Sequence, residues 1–300
     1  MRPENTLAAF ENALSLGCDS AELDVHLTKD GKLVVHHNSS LNYHFCRKNN
    51  GEWITQKEEL AICDLTYQEL LQYQVGMPNP DTDYHKRFPQ LLPTEGQRIP
   101  LLSEVIQLVK ESSEVFHLII ELKTPVLDAA CKPWRRLVEA TLKILRKENF
   151  ADRCILCSFD WGALVYAKSL NRDVRTWFTT HPLSWLGNGV PPNEDIPPSA
   201  AYLEKLRGLL ASGAPWYAEF DPREFNGDYA RAISTAGGDG WFMYHTDCTP
   251  EKMKQLNALN VVGAVWSVNL NDPTANERLM SYGVDAICTD YPTDRTIYQR

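Results

Sequence analysis

The chain has 300 residues, more than one average domain but the right size for a single α/β barrel carrying an insertion. Hydrophobic residues make up 43% and charged residues 23%, the balance of a globular chain with a large core. The net charge of −9 excludes a basic footprint for nucleic acid or an anionic membrane, and no run of about 18 apolar residues offers an integral membrane segment.

Met1 is followed at once by Arg-Pro-Glu-Asn, with no secretory signal in view. Residues 6–16 read as a short helix. Leu7, Phe10 and Leu14 keep the helical period, Asn5 or Thr6 can cap the start, and Gly17 stands where a C-terminal glycine belongs. Residues 21–27 read as a strand, Asp30-Gly31 as a tight turn and 33–37 as the returning strand. Residues 39–98 are polar, aromatic-rich and irregular, and are expected to form an insertion over one end of a single domain spanning 1–300. Inside them Thr66 and Glu69 have capping-box spacing. Helix and strand then alternate: helix 101–110, strand 116–123, helix 133–148, strand 154–159, helix 161–169 and strand 174–179. A Pro/Gly-rich loop at 181–198 follows, then helix 200–210 and an extended stretch at 216–220. The series closes with strand 241–245, helix 250–259, strand 261–269, helix 272–281 and strand 285–289. Such alternation implies parallel strands joined by crossover helices. The eight cysteines are scattered. Cys154 and Cys157 are three apart on a strand and face opposite sides, so they are expected to be structural thiols in a reducing, cytoplasmic setting.

Glu22 and Asp24 are two apart on a strand, so both carboxylates point to one face. Their mutual repulsion calls for water, a lysine or a cation. Glu121 ends an otherwise apolar strand, and Lys123 follows on the same face. In a barrel, strand C-termini form the active-site mouth. Three carboxylates with water suit a hard cation, Mg²⁺ or Ca²⁺, which would also admit an anionic substrate to an acidic protein. The plainer alternative is a buried Glu121–Lys123 ion pair. His37, on the hairpin partner of the Glu22–Asp24 strand, is a candidate proton shuttle, whereas His36 points to the opposite face. Trp266, in Ala264–Asn269, and the Thr289-Asp290-Tyr291 turn would border the same mouth as the last two strand ends.

The stretch "RPENTLAAFENALSLGCDSAELDVHLTKDGKLVVHHN", followed by "IELK", "SFD", "WSVN" and "DAICTDYP" in that order, resembles the glycerophosphodiester phosphodiesterase family. The resemblance implies a TIM (β/α)₈-type barrel that hydrolyses glycerophosphodiesters to glycerol 3-phosphate and an alcohol. It implies a divalent cation on Glu22, Asp24 and Glu121, His37 as the acid/base group, and Lys123 and Trp266 lining the site of a small-molecule phosphodiester. Two departures stand out. The family opens with a strand ending in His-Arg-Gly ahead of Pro-Glu-Asn-Thr, and here only Met1 and Arg2 precede Pro3. The chain as written is therefore expected to lack the first barrel strand, with one catalytic histidine and a phosphate-binding arginine, which a start codon further upstream would restore. The family's His-Asp is also His37-Asn38. These departures leave two rivals: a barrel that binds cation and phosphodiester without turnover, and a related lipid phosphodiesterase.

Overall fold

The computed structural model describes residues 1–58, 60–124, 134–187, 198–268 and 274–292, the side chains of His85 and Arg87 excepted. The chain divides into two compact units: residues 1–123 with 136–154, and residues 124–135 with 155–300.

The first unit opens on α1 (Leu7–Ser15). Thr6 caps it, its Oγ1 accepting from Ala9 N–H at 3.2 Å and donating to the Pro3 carbonyl at 2.6 Å. Gly17 ends it at φ 70°, a left-handed conformation that glycine adopts without Cβ strain. β1 (Ser20–Leu27) and β2 (Leu33–Val35) form an antiparallel hairpin, with Val25 opposite Val35. Its turn is tied by Thr28, which donates to Asp30 Oδ1 at 2.7 Å. The same oxygen accepts from Tyr67 N–H at 3.0 Å, joining the turn to the start of a helix in the following segment. β2 is shorter than the expected 33–37, because the chain leaves the ladder after His36 N–H donates to the Asp24 carbonyl.

Residues 39–98 hold more order than their composition suggests. β3 (Arg47–Lys48) pairs antiparallel with β4 (Tyr73–Gln74), and between them lies α2 (Tyr67–Leu70). The Thr66–Glu69 capping box is present: Glu69 N–H donates to Thr66 Oγ1 at 3.3 Å, and Thr66 N–H to Glu69 Oε2 at 2.7 Å. α3 (Tyr84–Arg87) follows. Leu41, Phe45, Cys46, Ile54, Ile62, Leu70, Val75 and Tyr84 bury a core together with Val34 of β2 and Ile99. The segment is thus packed onto the hairpin that carries the candidate histidines. In α4 (Leu102–Ser112), Leu102, Val105, Ile106 and Val109 form a buried stripe at helical spacing, and Glu104 Oε2 accepts from Leu101 N–H at 2.8 Å. β5 (His117–Leu122) pairs parallel to β1, giving the order β2-β1-β5. α5 (Trp134–Lys147) follows, turning Leu137, Val138, Thr141 and Leu145 inward.

The second unit is a parallel series, β6-β7-β8-β9-β10, threaded by helices. β6 (Cys154–Ser158) leads to α6 (Trp161–Leu170), whose Trp161 is fully buried and donates to the Thr179 carbonyl at 3.0 Å. β7 (Arg175–Thr179) is followed by a one-turn α7 (Leu183–Leu186) inside the expected loop, then α8 (Ala200–Ala211). Residues 216–220 are not extended. Pro215 starts a 3₁₀ turn, Pro215–Tyr217, flanked by Ala214 and Ala218 at φ 44° and 51°. α9 (Tyr229–Thr235), unmarked in the sequence reading, is capped by Asp228, which accepts from Arg231 N–H at 2.9 Å. β8 (Gly240–Tyr244) begins with a glycine because a Cβ there would lie 2.3 Å from Trp177. α10 (Pro250–Ala258), β9 (Val262–Trp266), α11 (Ala275–Ser281) and β10 (Ala286–Ile287) complete the series. Asn269 and residues 270–273 of the expected strand and helix lie outside the described residues. The fold class is α/β of the TIM (β/α)₈ type, with β1–β2 the antiparallel exception in the main sheet. No helix among the described residues is long and apolar enough to cross a membrane.

Candidate active site

β1 and β5 set the site by register. Asp24 is the ladder neighbour of Glu121, and Glu22 lies two residues earlier on the same face of β1. One oxygen from each of Glu22, Asp24 and Glu121 falls within 4.8 Å of the others. Lys123, two residues past Glu121, brings its Nζ to 3.1 Å from Glu121 Oε1 and 3.3 Å from Asp24 Oδ1. The ion pair suggested by sequence is therefore present, and it is part of the carboxylate cluster.

Burial works against every charge in this group. It lifts Glu121 to about 7, Lys123 and its hydrogen bond only partly offsetting the rise, and Asp24 adding to it. Burial also opposes ionisation of Asp24, but Lys123, His37, the Asn5 hydrogen bond and His26 together hold that carboxyl below its ordinary range. Burial would lower Lys123 as well, yet Glu121, Asp24 and Glu22 raise it, so its ammonium is locked on.

The two histidines at the end of the hairpin part company. His36 is 2% exposed, sits edge-on to Phe45 at 5.8 Å, and is pushed down to about 3 by burial. It is a neutral core imidazole. His37 is exposed. Lys123 is the largest influence on it and lowers it, Asp24 acts in the opposite sense, partial desolvation of the ring lowers it further, and a hydrogen bond donated by the ring to the Asn38 side chain raises it. Asn38 Oδ1 in turn accepts from Asn42 Nδ2 at 3.0 Å. His26, half-buried and lowered to about 4 chiefly by burial, places its Nε2 3.2 Å from the His37 carbonyl. A carbonyl only accepts, so that nitrogen carries the hydrogen and ties β1 to the His37 backbone. Asn5 is a further neighbour, unmarked for this role in the sequence: its Nδ2 donates to Asp24 Oδ2 at 2.8 Å and its Oδ1 accepts from Asp24 N–H at 3.2 Å.

In the second unit, Trp266 ends β9 and is half-buried, edge-on to Tyr244 at 4.9 Å and to Phe159 at 5.8 Å. His181 stacks on Phe159 at 4.7 Å. The C-terminal ends of β6, β7, β8 and β9 thus share an aromatic wall, of which only Trp266 stood out beforehand. Phe159 was marked only as part of "SFD", and His181, at the start of a loop, and Tyr244, in an aromatic-rich strand, had nothing local to set them apart.

A family model described as "Glycerophosphoryl diester phosphodiesterase family" matches residues 1–294. A glycerophosphodiester phosphodiesterase of Caldanaerobacter subterraneus subsp. tengcongensis is 33% identical over 56% of this chain and 57% of its own length. One of Bacillus altitudinis is 34% identical over 54% and 55%, so this chain is matched along little more than half of either relative. The Bacillus subtilis protein YqiK is 28% identical over 97% of this chain and 90% of its own. Among solved structures, a Silicibacter pomeroyi protein described as a glycerophosphoryl diester phosphodiesterase is 28% identical with a TM-score of 0.79, covering 99% of this chain and 89% of that one. An Oleispira antarctica phosphodiesterase, solved with its product sn-glycerol-3-phosphate, shares the fold at 20% identity and a TM-score of 0.65, covering 99% and 92%.

Proposed function

We propose that this chain, which belongs to the glycerophosphoryl diester phosphodiesterase family, hydrolyses glycerophosphodiesters to glycerol 3-phosphate and an alcohol with a divalent cation, Mg²⁺ or Ca²⁺, on Glu22, Asp24 and Glu121. The observation that carries this reading is the meeting of three carboxylates and one ammonium on one face of two adjacent parallel strands. The donor set fits such an ion. It is all oxygen, and its atoms lie within 4.8 Å of one another, close enough for one ion at Mg–O or Ca–O distances to reach all three.

When bound, the ion neutralises phosphate oxygens and stabilises the charge that builds up in the transition state. Lys123 contributes a fixed positive charge to the same phosphate. His37 acts as general acid: as the bond between phosphorus and the leaving oxygen breaks, its ring proton passes to that oxygen and completes the alcohol. The hydroxyl of the attacking water stays on phosphorus, and its proton returns to solvent or to the imidazole. A lowered pKa suits His37 to giving up its proton, and the His26 and Asn38 contacts fix its backbone and ring. Trp266, edge-on to Tyr244 and Phe159 within its own unit, is the residue to which the family resemblance gives a substrate-lining role.

The test is release of glycerol 3-phosphate from glycerophosphodiesters of choline, ethanolamine and glycerol, with Mg²⁺, with Ca²⁺ and with EDTA. Cation-dependent release that disappears in D24N is expected. Release indifferent to chelation, or no release with any of the three diesters and either cation, would refute it.

A further inference from the structure

Asn5 stands at φ 54°, just before the Thr6 cap of α1. The left-handed region disfavours L-residues, though asparagine tolerates it better than most. The helix needs no such residue there, because Thr6 already supplies the cap. What the conformation accompanies is a reach of 19 residues along the chain to Asp24. Both ends of the amide are used on that one residue. Oδ1 takes the backbone N–H of Asp24, and Nδ2 donates to its Oδ2. The assignment is self-consistent, since a flipped amide would set donor against donor and acceptor against acceptor.

The consequence falls on Asp24, which is 3% exposed. Its carbonyl is held by His36 N–H and its own N–H by Asn5, so the backbone is pinned at both polar groups. Its carboxylate is pinned at Oδ2, while Oδ1 faces Lys123 at 3.3 Å, on the side of Glu121. One oxygen is occupied by a neutral donor, and the other is aimed into the cluster. Such partners of a metal-binding carboxylate set its orientation as firmly as its own rotamer does.

We propose that Asn5 is a positioning residue of the divalent-cation site, holding Asp24 so that Oδ1 is presented to the ion. This rests on the cation reading of Glu22, Asp24 and Glu121. The test is titration of the full chain with Mg²⁺ and Ca²⁺ by calorimetry, for wild type, Asn5→Gly, Asn5→Ala and D24N, alongside melting of each in EDTA. Glycine takes φ 54° without strain, so Asn5→Gly removes the amide and keeps the backbone. Both Asn5 variants are expected to bind the cation about 10- to 100-fold more weakly, with Asn5→Gly no better than Asn5→Ala. A purely structural role would lower the melting temperature of Asn5→Ala more than that of Asn5→Gly, and leave the cation affinity of both folded proteins at the wild-type value. That result overturns the proposal. If wild type itself binds no more tightly than D24N, the cation reading has failed instead, and with it this proposal's premise.

Discussion

Replacing Glu121 with glutamine should make the cation-free protein more stable and the cation-bound protein impossible. Glu121 is 14% exposed at its side chain, and burial raises it from 4.5 to about 7 even with Lys123 at 3.1 Å. A carboxyl raised in the folded state binds its proton more tightly there than in the unfolded chain. Stability is therefore lost as pH climbs through that interval and stays lost above it. The interval from 4.5 to about 7 corresponds to a penalty of up to about 3 kcal/mol, fully expressed above pH 7. Glutamine mimics the protonated acid in shape and avoids the penalty. In EDTA the advantage of E121Q should grow from under about 1 kcal/mol at pH 5 to about 2–3 kcal/mol at pH 8. Saturating Mg²⁺ or Ca²⁺ should then raise wild type and leave E121Q where it was, because the ion stabilises only the form that binds it. Urea unfolding of both proteins from pH 5 to 9, with and without the cation, is the assay. An E121Q protein less stable than wild type at pH 8 in EDTA, or a gap that does not change with pH, would refute the reasoning.

Other expectations are independent of that one. Asp247, 9% exposed and lifted to about 6 by burial, accepts from Leu183 N–H at 2.9 Å, a bond that asparagine can keep. By the same sign argument D247N should remove a loss of stability between about pH 4 and 6, and unlike E121Q it should be indifferent to divalent cation, as urea unfolding will show. His37→Ala should lower kcat by about 10²- to 10⁴-fold while leaving cation affinity at the wild-type value; a matching loss of affinity in calorimetry would place His37 among the ligands. Trp266→Ala should raise KM about tenfold or more, the loss expected when an aromatic face packed on substrate is removed, with little change in kcat. A fall confined to kcat would put the indole against the reacting atoms instead.

What the sequence disclosed, it disclosed through period and chemistry. Glu22 and Asp24 lie on one face because strands repeat every two residues, and Glu121 drew notice as a charge ending an apolar run. Their meeting was expected from the strand ends of a barrel and from the family resemblance, but the residue-by-residue register was not legible, since it depends on how β1 slides against a strand nearly a hundred residues later and is fixed by packing along both strands. The separation of His36 from His37 follows the same two-residue alternation, though the strand ends before either. Asn5 was legible only as a possible helix cap. Its partner is 19 residues away, and no local pattern announces a side chain turned off its own helix. Residues 216–220 misled because Trp, Tyr and Phe in short order look like a strand, whereas Pro215 sets the turn ahead of them. The 39–98 segment hid its core for a related reason: elements of two to four residues are too short to show a period, and their order comes from the apolar side chains they pool.

The proposed chemistry depends most on one ion held among three acidic side chains from β1 and β5. Anomalous diffraction from crystals soaked in Mn²⁺ reads that directly. A peak bounded by Glu22, Asp24 and Glu121, with Lys123 beside it, is the predicted result. Manganese bound elsewhere only, or carboxylates pointing apart around an empty centre, would contradict it.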